Sequence, residues 1–205
     1  MTNSINSLSA RQRQAIQTRQ KLLEAGRDIF LQHGFHKATI SQIIKQARTG
    51  YGTAYVYFKN KDQLFSVLME ELMGQFYQVA ELPFEPRTKE EAYTMISHQV
   101  HLFLSLAFKE REMMKVVKEA IGISSEVEKQ WIQIRKKFIL RISQDISYAQ
   151  SKGLAKQQLD PLLIAKGWFY SNEMFMWDLI QLEKEDSIEE VIHHLTTIYT
   201  SGLYT

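Results

Sequence analysis

Apolar and polar residues follow one another along this chain with a helical period. Apolar side chains recur at steps of three and four residues through most segments, the spacing that places them on one face of an α-helix. The period-two alternation of a half-buried strand is absent from the sequence, and only three prolines and nine glycines interrupt the pattern. The sequence therefore predicts an all-α fold.

Capping signals place the starts of the predicted helices. A small polar residue followed three positions later by glutamate or glutamine satisfies the free amides of a helix N-terminus. This pattern precedes apolar runs at Thr39, Asn60, Thr88, Ser125 and Ser187. Asp160 before Pro161 marks a sixth start, because proline at the first helical position loses no hydrogen bond.

Nine helices follow from these signals. Gly34 ends the first as a C-terminal cap, and Pro83 and Pro86 make residues 82–88 a linker. The predicted helices span residues 14–33, 40–47, 51–57, 61–81, 89–108, 110–121, 126–151, 161–184 and 188–200.

Charge is distributed unevenly along the chain. Residues 1–61 hold ten lysines and arginines against two acidic residues, a net charge of +8, whereas the remainder has a net charge of −6. Neutralising phosphates drives nucleic-acid affinity, so this asymmetry favours an N-terminal module that meets a polyanion. Chance clustering on a solvated surface is the alternative.

Composition excludes several classes of protein. The chain has no cysteine, so disulfides, thiolate metal sites and cysteine nucleophiles are ruled out. The N-terminus is polar, and charges break every apolar run before it reaches membrane-spanning length. We expect a soluble cytoplasmic protein with no membrane segment and no cofactor.

Residues 39–61 pattern as two short helices joined by a tight turn. Ile43 and Ile44 on the first and Ala54 and Phe58 on the second are placed to pack on the opening helix. The second helix is left with a surface of hydroxyls and aromatic rings beside cations, a combination suited to phosphates and base edges in a DNA major groove. The pattern predicts a helix-turn-helix.

The same segment resembles the TetR family of transcriptional regulators. The resemblance covers about 50 residues in order and is carried by Phe30, Gly34, Phe35, Thr39, Ile43, Ile44, Ala47, Gly52, Thr53, Tyr55, Tyr57, Phe58, Lys61 and Leu64. It implies a flexible basic arm at residues 1–14, a three-helix DNA-binding domain at 15–74 and a larger helical effector-binding and dimerisation domain at 75–205. The arm either reaches the DNA or stays solvated.

The resemblance also implies which residues bind double-stranded DNA. Thr39 caps a helix and meets a phosphate, and Lys61 holds another phosphate. Arg48 stands where the family usually has glycine, in a turn that is expected to need a positive φ. The full implied set is Thr39, Ser41, Arg48, Thr49, Tyr51, Gly52, Thr53, Tyr55, Tyr57 and Lys61.

Residues 161–184 are apolar on nearly every helical face, so the helix must be covered on all sides. In a chain of this size, that predicts a second subunit and a symmetric interface completed by the last helix. The interface residues are predicted to be Trp168, Phe175, Leu179, Val191, Leu195 and Ile198. A homodimer would read a palindromic operator.

By the same resemblance, a small and mainly apolar effector binds among the helices of the larger domain. The candidate lining residues are His98, Gln99, Phe103, Met114, Trp131, Phe138 and Asn172. Ordinary core packing is the alternative for each of them.

The resemblance implies a DNA-binding repressor that a small ligand releases from its operator, and an enzyme is the main alternative class. Glu190 and His193 have the spacing of a di-iron helix, but the required second pair is missing, and His98 with His101 lacks a third ligand. The sequence has no phosphate-cradling glycine loop and no nucleophile motif, so an enzyme is not expected. An architectural or protein-interaction module on the same fold, without a ligand response, stays open.

Overall fold

The computed structural model describes residues 9–181 and 188–204, and within these ranges the chain forms nine α-helices. They are α1 (Ala10–Lys37), α2 (Ile40–Gln46), α3 (Tyr51–Tyr57), α4 (Lys61–Ala80), α5 (Lys89–Lys109), α6 (Arg111–Ile121), α7 (Ser125–Ser151), α8 (Pro161–Leu179) and α9 (Ile188–Leu203). The β-type backbone pairing among the described residues is a single antiparallel bridge between Ala155 and Tyr204. The predicted all-α fold is confirmed.

Most helices begin where the capping signals place them. Thr39 and Gln42 form a complete capping box on α2. The amide of Gln63 donates to Asn60 Oδ1 at 2.8 Å, and the amide of Leu163 donates to Asp160 Oδ1 at 2.8 Å. These bonds satisfy amides that the first helical turn leaves without partners.

Several helix ends differ from the prediction, and α1, which was predicted to end before a cap at Gly34, runs on to Lys37 across a kink at that glycine. α1 begins at Ala10, because Ser9 and Gln12 form an unanticipated capping box, so residues 10–14 are helical and not a flexible arm. The cap of α7 is Ser124, whose Oγ accepts from the amide of Val127, and not its neighbour Ser125. α8 ends at Leu179. The predicted cap at Ser187 lies outside the described residues.

The chain divides into two compact units. The first comprises residues up to Glu71 together with Val116–Lys129, and the second comprises Leu72–Lys115 and residues from Gln130 onward. The predicted domain boundary after residue 74 lies close to the first division. No sequence pattern predicted that residues 116–129 would join the N-terminal helices.

An aromatic cluster forms the centre of the first unit. The rings of Phe30, Phe35 and Phe65 lie with centroids 4.8 to 5.8 Å apart, and all three side chains are fully buried. Ile43, Ile44 and Ala54 are buried as well, as their spacing predicts. Such a core holds two helices that are each too short to be stable alone.

The second unit is built on contacts of α5 with α8 and α9, and of α8 with α9. Aromatic rings run through it, with Phe103 lying 5.0 Å from Phe76 and 6.1 Å from Phe138 between ring centroids. Within residues 9–181 and 188–204, none of the helices is both long and apolar enough to cross a membrane.

Candidate nucleic-acid interface and ligand cavity

The turn between α1 and α2 is held by one carboxylate and one ammonium group. Glu119 accepts the amide of Phe35 at 2.7 Å and that of His36 at 3.1 Å. Lys61 Nζ donates to the carbonyl oxygens of Phe35, Ala38 and His36 at 2.7, 3.0 and 3.1 Å. The peptide group between Phe35 and His36 is thus bonded at both ends, at the Phe35 carbonyl by Lys61 and at the His36 amide by Glu119. These bonds hold the turn that leads into α2.

Gly34 makes the approach of Glu119 possible. Its φ of 72° is the backbone conformation that glycine adopts without strain, and the regular geometry of α1 is interrupted there. A Cβ at this position would lie 2.7 Å from Glu119 Oε2, so any side chain would displace the carboxylate.

The turn between α2 and α3 needs the positive φ that the sequence predicts. Arg48 has a φ of 51°, and among the described residues it is the one non-glycine residue with a positive φ. The conformation costs about 1 to 2 kcal/mol for a residue with a Cβ. Arg48, whose side chain is exposed, therefore has a strained backbone conformation that glycine would adopt at a lower free-energy cost. Strain of this kind often accompanies function.

α3 presents one face to the surface and buries the other. Ala54 is 2% exposed, whereas Tyr51 and Tyr55 are 55% and 44% exposed. Val56 is 80% exposed on the side opposite Ala54, and an isolated apolar group there suits contact with a thymine methyl group. Val56 was not predicted, although its two-residue offset from the buried Ala54 was a usable signal.

The predicted DNA-binding residues all belong to the first unit. Most are exposed, and Thr49, Tyr57 and Lys61 are half-buried. The exposed members are Thr39, Ser41, Arg48, Tyr51, Gly52, Thr53 and Tyr55. Lys61 differs from the others because three carbonyl oxygens accept from its Nζ, and we propose that it orients the turn and holds no phosphate.

Replacing Lys61 by methionine is expected to lower the free energy of unfolding by about 2 kcal/mol, because three charge-assisted hydrogen bonds are lost while the apolar stem stays. DNA binding should weaken with the salt dependence unchanged, since no phosphate contact disappears. Urea denaturation and binding titrations at several salt concentrations measure both effects. Lys21→Met, at an exposed position of α1, is the control. Unchanged stability with a shallower salt slope would restore the phosphate role.

The second unit contains a mostly apolar cavity of about 90 Å³. Aromatic rings from α5, α7, α8 and α9 form much of its wall, and Trp168 stacks on Tyr199 with ring centroids 4.1 Å apart. The polar lining residues other than the two tyrosines, Tyr199 and Tyr204, are Gln99, Asp145 and Asn172. An apolar wall with a few polar groups is typical of a small-molecule site.

Asp145 is a partly buried acid in this wall. Its Oδ1 bonds the guanidinium of Arg141, one helical turn earlier on α7. Burial raises the pKa of Asp145 to about 6, although Arg141 acts in the opposite direction. Burial also raises the pKa of Tyr199 and Tyr204, and the nearby Asp145 carboxylate adds to both effects. Asp145 was not predicted, because its place in an amphipathic helix resembles that of a solvated acid.

Glu173 lies buried in the middle of α8 and is bonded on several sides. Arg135 donates to both carboxylate oxygens at 2.8 to 3.0 Å, and the indole N–H groups of Trp131 and Trp177 donate to Oε1 at 2.9 and 3.3 Å. The carboxylate also lines a second, smaller cavity of about 10 Å³. Glu173 was not predicted, although a single acid in an otherwise apolar helix stretch is a usable signal for a buried ion pair.

The predicted ligand-binding residues separate into four groups. Gln99 and Asn172 line the larger cavity, and Phe103 and Phe138 line both cavities. Met114 and Trp131 line the smaller one. His98 is exposed on α5 and lines neither, because the residues of that helix that point inward are its sequence neighbours.

One face of α8 and α9 is apolar and exposed. Leu163, Tyr170 and Met174 on α8 are 65%, 49% and 62% exposed, and Ile198 on α9 is 73% exposed. A groove of about 330 Å³ runs between these helices and is lined by Leu163, Gly167, Leu195 and Ile198 among others. Large exposed apolar patches commonly mark interaction surfaces.

The predicted dimer-interface residues are placed unevenly on this face. Phe175 and Ile198 are exposed, whereas Trp168 and Val191 are half-buried. Leu195 is buried but borders the groove. Leu179 is 4% exposed because it packs within the second unit, so it has almost no surface to offer a partner.

Comparison with known proteins identifies relatives of this chain. A family model described as "Bacterial regulatory proteins, tetR family" matches residues 22–68. The HTH-type transcriptional regulator YhgD of Bacillus subtilis (strain 168) is 30% identical over 142 residues, covering 67% of this chain and 68% of YhgD. The Fatty acid metabolism regulator protein of the same organism is 33% identical over 84 residues, a match that spans 40% of this chain and 43% of that protein.

A solved structure shares the fold over most of its length. A TetR-family transcriptional regulator from Syntrophomonas wolfei superposes with a TM-score of 0.73 at 21% identity, covering 89% of this chain and 95% of that one. Together with the helix-turn-helix geometry, these matches define the class, a DNA-binding transcriptional regulator. The chain belongs to the TetR family, and the family assignment made from residues 30–64 is confirmed.

Proposed function

We propose that this regulator is a repressor that binds a palindromic operator as a homodimer and leaves it when a small, mainly apolar ligand binds. The observation that carries the proposal is the outer face of α3. Tyr51, Tyr55 and Val56 are exposed there opposite the buried Ala54, on a module with a net charge of +8 over residues 1–61. A short helix with hydroxyl, aromatic and methyl groups facing outward can read base edges in a major groove.

The apolar face of α8 and α9 supports the dimer. A second copy that pairs its own face with this one would cover Leu163, Met174 and Ile198 and fill the groove between the two helices. Two-fold symmetry in the protein is matched by two half-sites in the DNA, which is why the operator is expected to be palindromic.

The cavity supports ligand control, and α4 supplies the connection. α4 is continuous from Lys61 to Ala80, and its last residues, Val79 and Ala80, line the cavity. A ligand there would shift α4, whose first residue fixes the turn before α2. A coupling free energy of about 1 to 3 kcal/mol changes operator occupancy several-fold or more.

Selection of bound sequences from random DNA tests the function, followed by a screen of metabolites and lipophilic compounds for release of the selected duplex. The repressor proposal expects an enriched palindrome and at least one releasing compound. Binding without sequence preference would favour an architectural role, and equal affinity with and without every compound would remove ligand control.

Gly52→Ala gives a sharper test of the α3 face. A Cβ at Gly52 meets nothing within 4 Å in the protein itself, so the substitution should keep the fold and raise stability slightly. Operator affinity should nevertheless fall by about tenfold or more, because the methyl group occupies space that the proposal gives to DNA. Fluorescence anisotropy with a labelled operator measures the loss.

Gly74→Ala is the matched control. Gly74 lies inside α4, and a Cβ there also meets nothing within 4 Å. Both substitutions should leave the thermal midpoint equal to or above that of the parent protein. If Gly52→Ala bound the operator as tightly as Gly74→Ala does, the assigned contact face would be wrong.

A further inference from the structure

The described residues that line the larger cavity carry one negative charge and no positive charge. Of the fifteen described residues that line it, Asp145 is the one with a formal charge at neutral pH, and no lysine, arginine or histidine is among them. Arg141 bonds Asp145 Oδ1 but is not a lining residue. Within the described part of the chain, Arg141 is the one hydrogen-bond partner of this carboxylate, so Oδ2 is left for a ligand.

The neighbours of Asp145 have acceptor capacity as well. The amide nitrogen of Asn172 donates to the carbonyl of Trp168 at 2.8 Å, which leaves the amide oxygen of Asn172 as an acceptor. The face of Trp168 is stacked on Tyr199, and both rings line the cavity. Carboxylate and amide oxygens bind N–H donors, and electron-rich ring faces attract cations.

An anion would be disfavoured in the same place. Its charge would meet the Asp145 carboxylate in apolar surroundings, where repulsion between like charges is strong and an unpaired charge is costly. No cationic side chain lines the wall to compensate it. A volume of about 90 Å³ further favours a slender body over a bulky one.

We propose that the effector is a slender lipophilic amine, whose ammonium group binds Asp145 and whose apolar body lies against Phe103, Phe138 and Trp168. This inference rests on the proposed ligand-controlled function and names the ligand class for it. The ammonium donates to Asp145 Oδ2 in a charge-assisted hydrogen bond, which is stronger than the bond a neutral donor makes. The apolar body gains from leaving water.

Three six-carbon probes of similar length test whether the cavity prefers a cation, a neutral group or an anion. Hexylamine, 1-hexanol and hexanoate are titrated into the full-length protein by calorimetry at pH 8, where Asp145 is ionised. Hexylamine should bind about tenfold more tightly than 1-hexanol, and hexanoate should bind most weakly. Equal affinities, tightest binding of hexanoate, or no saturable binding by any probe would each overturn the inference.

Asp145→Asn tests whether the Asp145 carboxylate causes the preference for the amine. The substitution keeps the shape and removes the charge, so the preference for hexylamine over 1-hexanol should fall below about threefold. Asp178→Asn, on an exposed position of α8, is the matched control and should leave the preference unchanged. A preference that survives Asp145→Asn would place the amine elsewhere and overturn the proposal.

A second measurement separates the ligand class from the function. Hexylamine is added to the protein on its selected operator, and release is followed by anisotropy. Binding through Asp145 without release would refute ligand-controlled repression and keep the ligand class. Release by hexanoate, but not by hexylamine, would refute the ligand class and keep ligand control.

Discussion

Replacing Ile198 by aspartate is expected to convert the protein from a dimer to a monomer and to weaken operator binding by about 100-fold or more. Ile198 is 73% exposed in the single chain, so the substitution should leave the protomer fold intact. In the proposed dimer it would place two unpaired carboxylates in an apolar interface, which is costly. A monomer loses the second half-site and with it the gain from bivalent binding.

Sedimentation velocity measures the oligomeric state, and anisotropy measures operator affinity at the same protein concentrations. Ile132→Asp is the matched control, because Ile132 is an exposed isoleucine on α7 that does not line the groove between α8 and α9. The control should stay dimeric. An Ile198→Asp variant that is still a dimer at micromolar concentration would remove α8 and α9 as the interface.

Local signals predicted most of the helix positions, because helix caps depend on residues three apart in sequence. Thr39, Asn60, Thr88 and Asp160 all accept amides of the turns that follow them. At Ser124 and Ser125 the signal was ambiguous, since adjacent serines satisfy nearly the same pattern, and the structure uses the first.

The helical period of apolar residues could not predict contacts between segments that lie far apart in the sequence. Glu119 bonds amides 84 and 83 residues away, at Phe35 and His36, and this contact is part of what groups residues 116–129 with the N-terminal unit. A glutamate on an amphipathic helix usually points to solvent, so its sequence context alone predicts nothing more. The phosphate role expected for Lys61 came from resemblance, and its three carbonyl acceptors became visible only in the structure.

The charged groups of the second unit make the same point. The sequence predicted a mainly apolar pocket and named Gln99, Phe103, Phe138 and Asn172, which do line the larger cavity. Asp145 was not named, because whether an acid on a long amphipathic helix faces water or a cavity depends on the helices packed around it. The residue that gives the cavity its negative charge was therefore the one that the sequence pattern could not predict.

Glu173→Ala is expected to lower the free energy of unfolding by about 3 kcal/mol, because it leaves buried donors without an acceptor. The guanidinium of Arg135 loses its bidentate partner, and the indole N–H groups of Trp131 and Trp177 lose a shared carboxylate oxygen. The vacated space adds a cavity beside the existing one at Met176. Urea denaturation at one fixed protein concentration measures the loss, since the proposed dimerisation would make stability depend on concentration.

Two further variants separate charge from hydrogen bonding. Glu173→Gln keeps an acceptor for both indoles and removes only the charge that Arg135 pairs with, so its loss should be about half as large. Glu71→Ala, at an exposed position within α4, controls for the change of residue type and should cost well under 1 kcal/mol. If Glu173→Ala were as stable as Glu71→Ala, the four N–H donors around Glu173 would find other acceptors at no cost in free energy. The buried carboxylate would then have no part in holding α7 to α8.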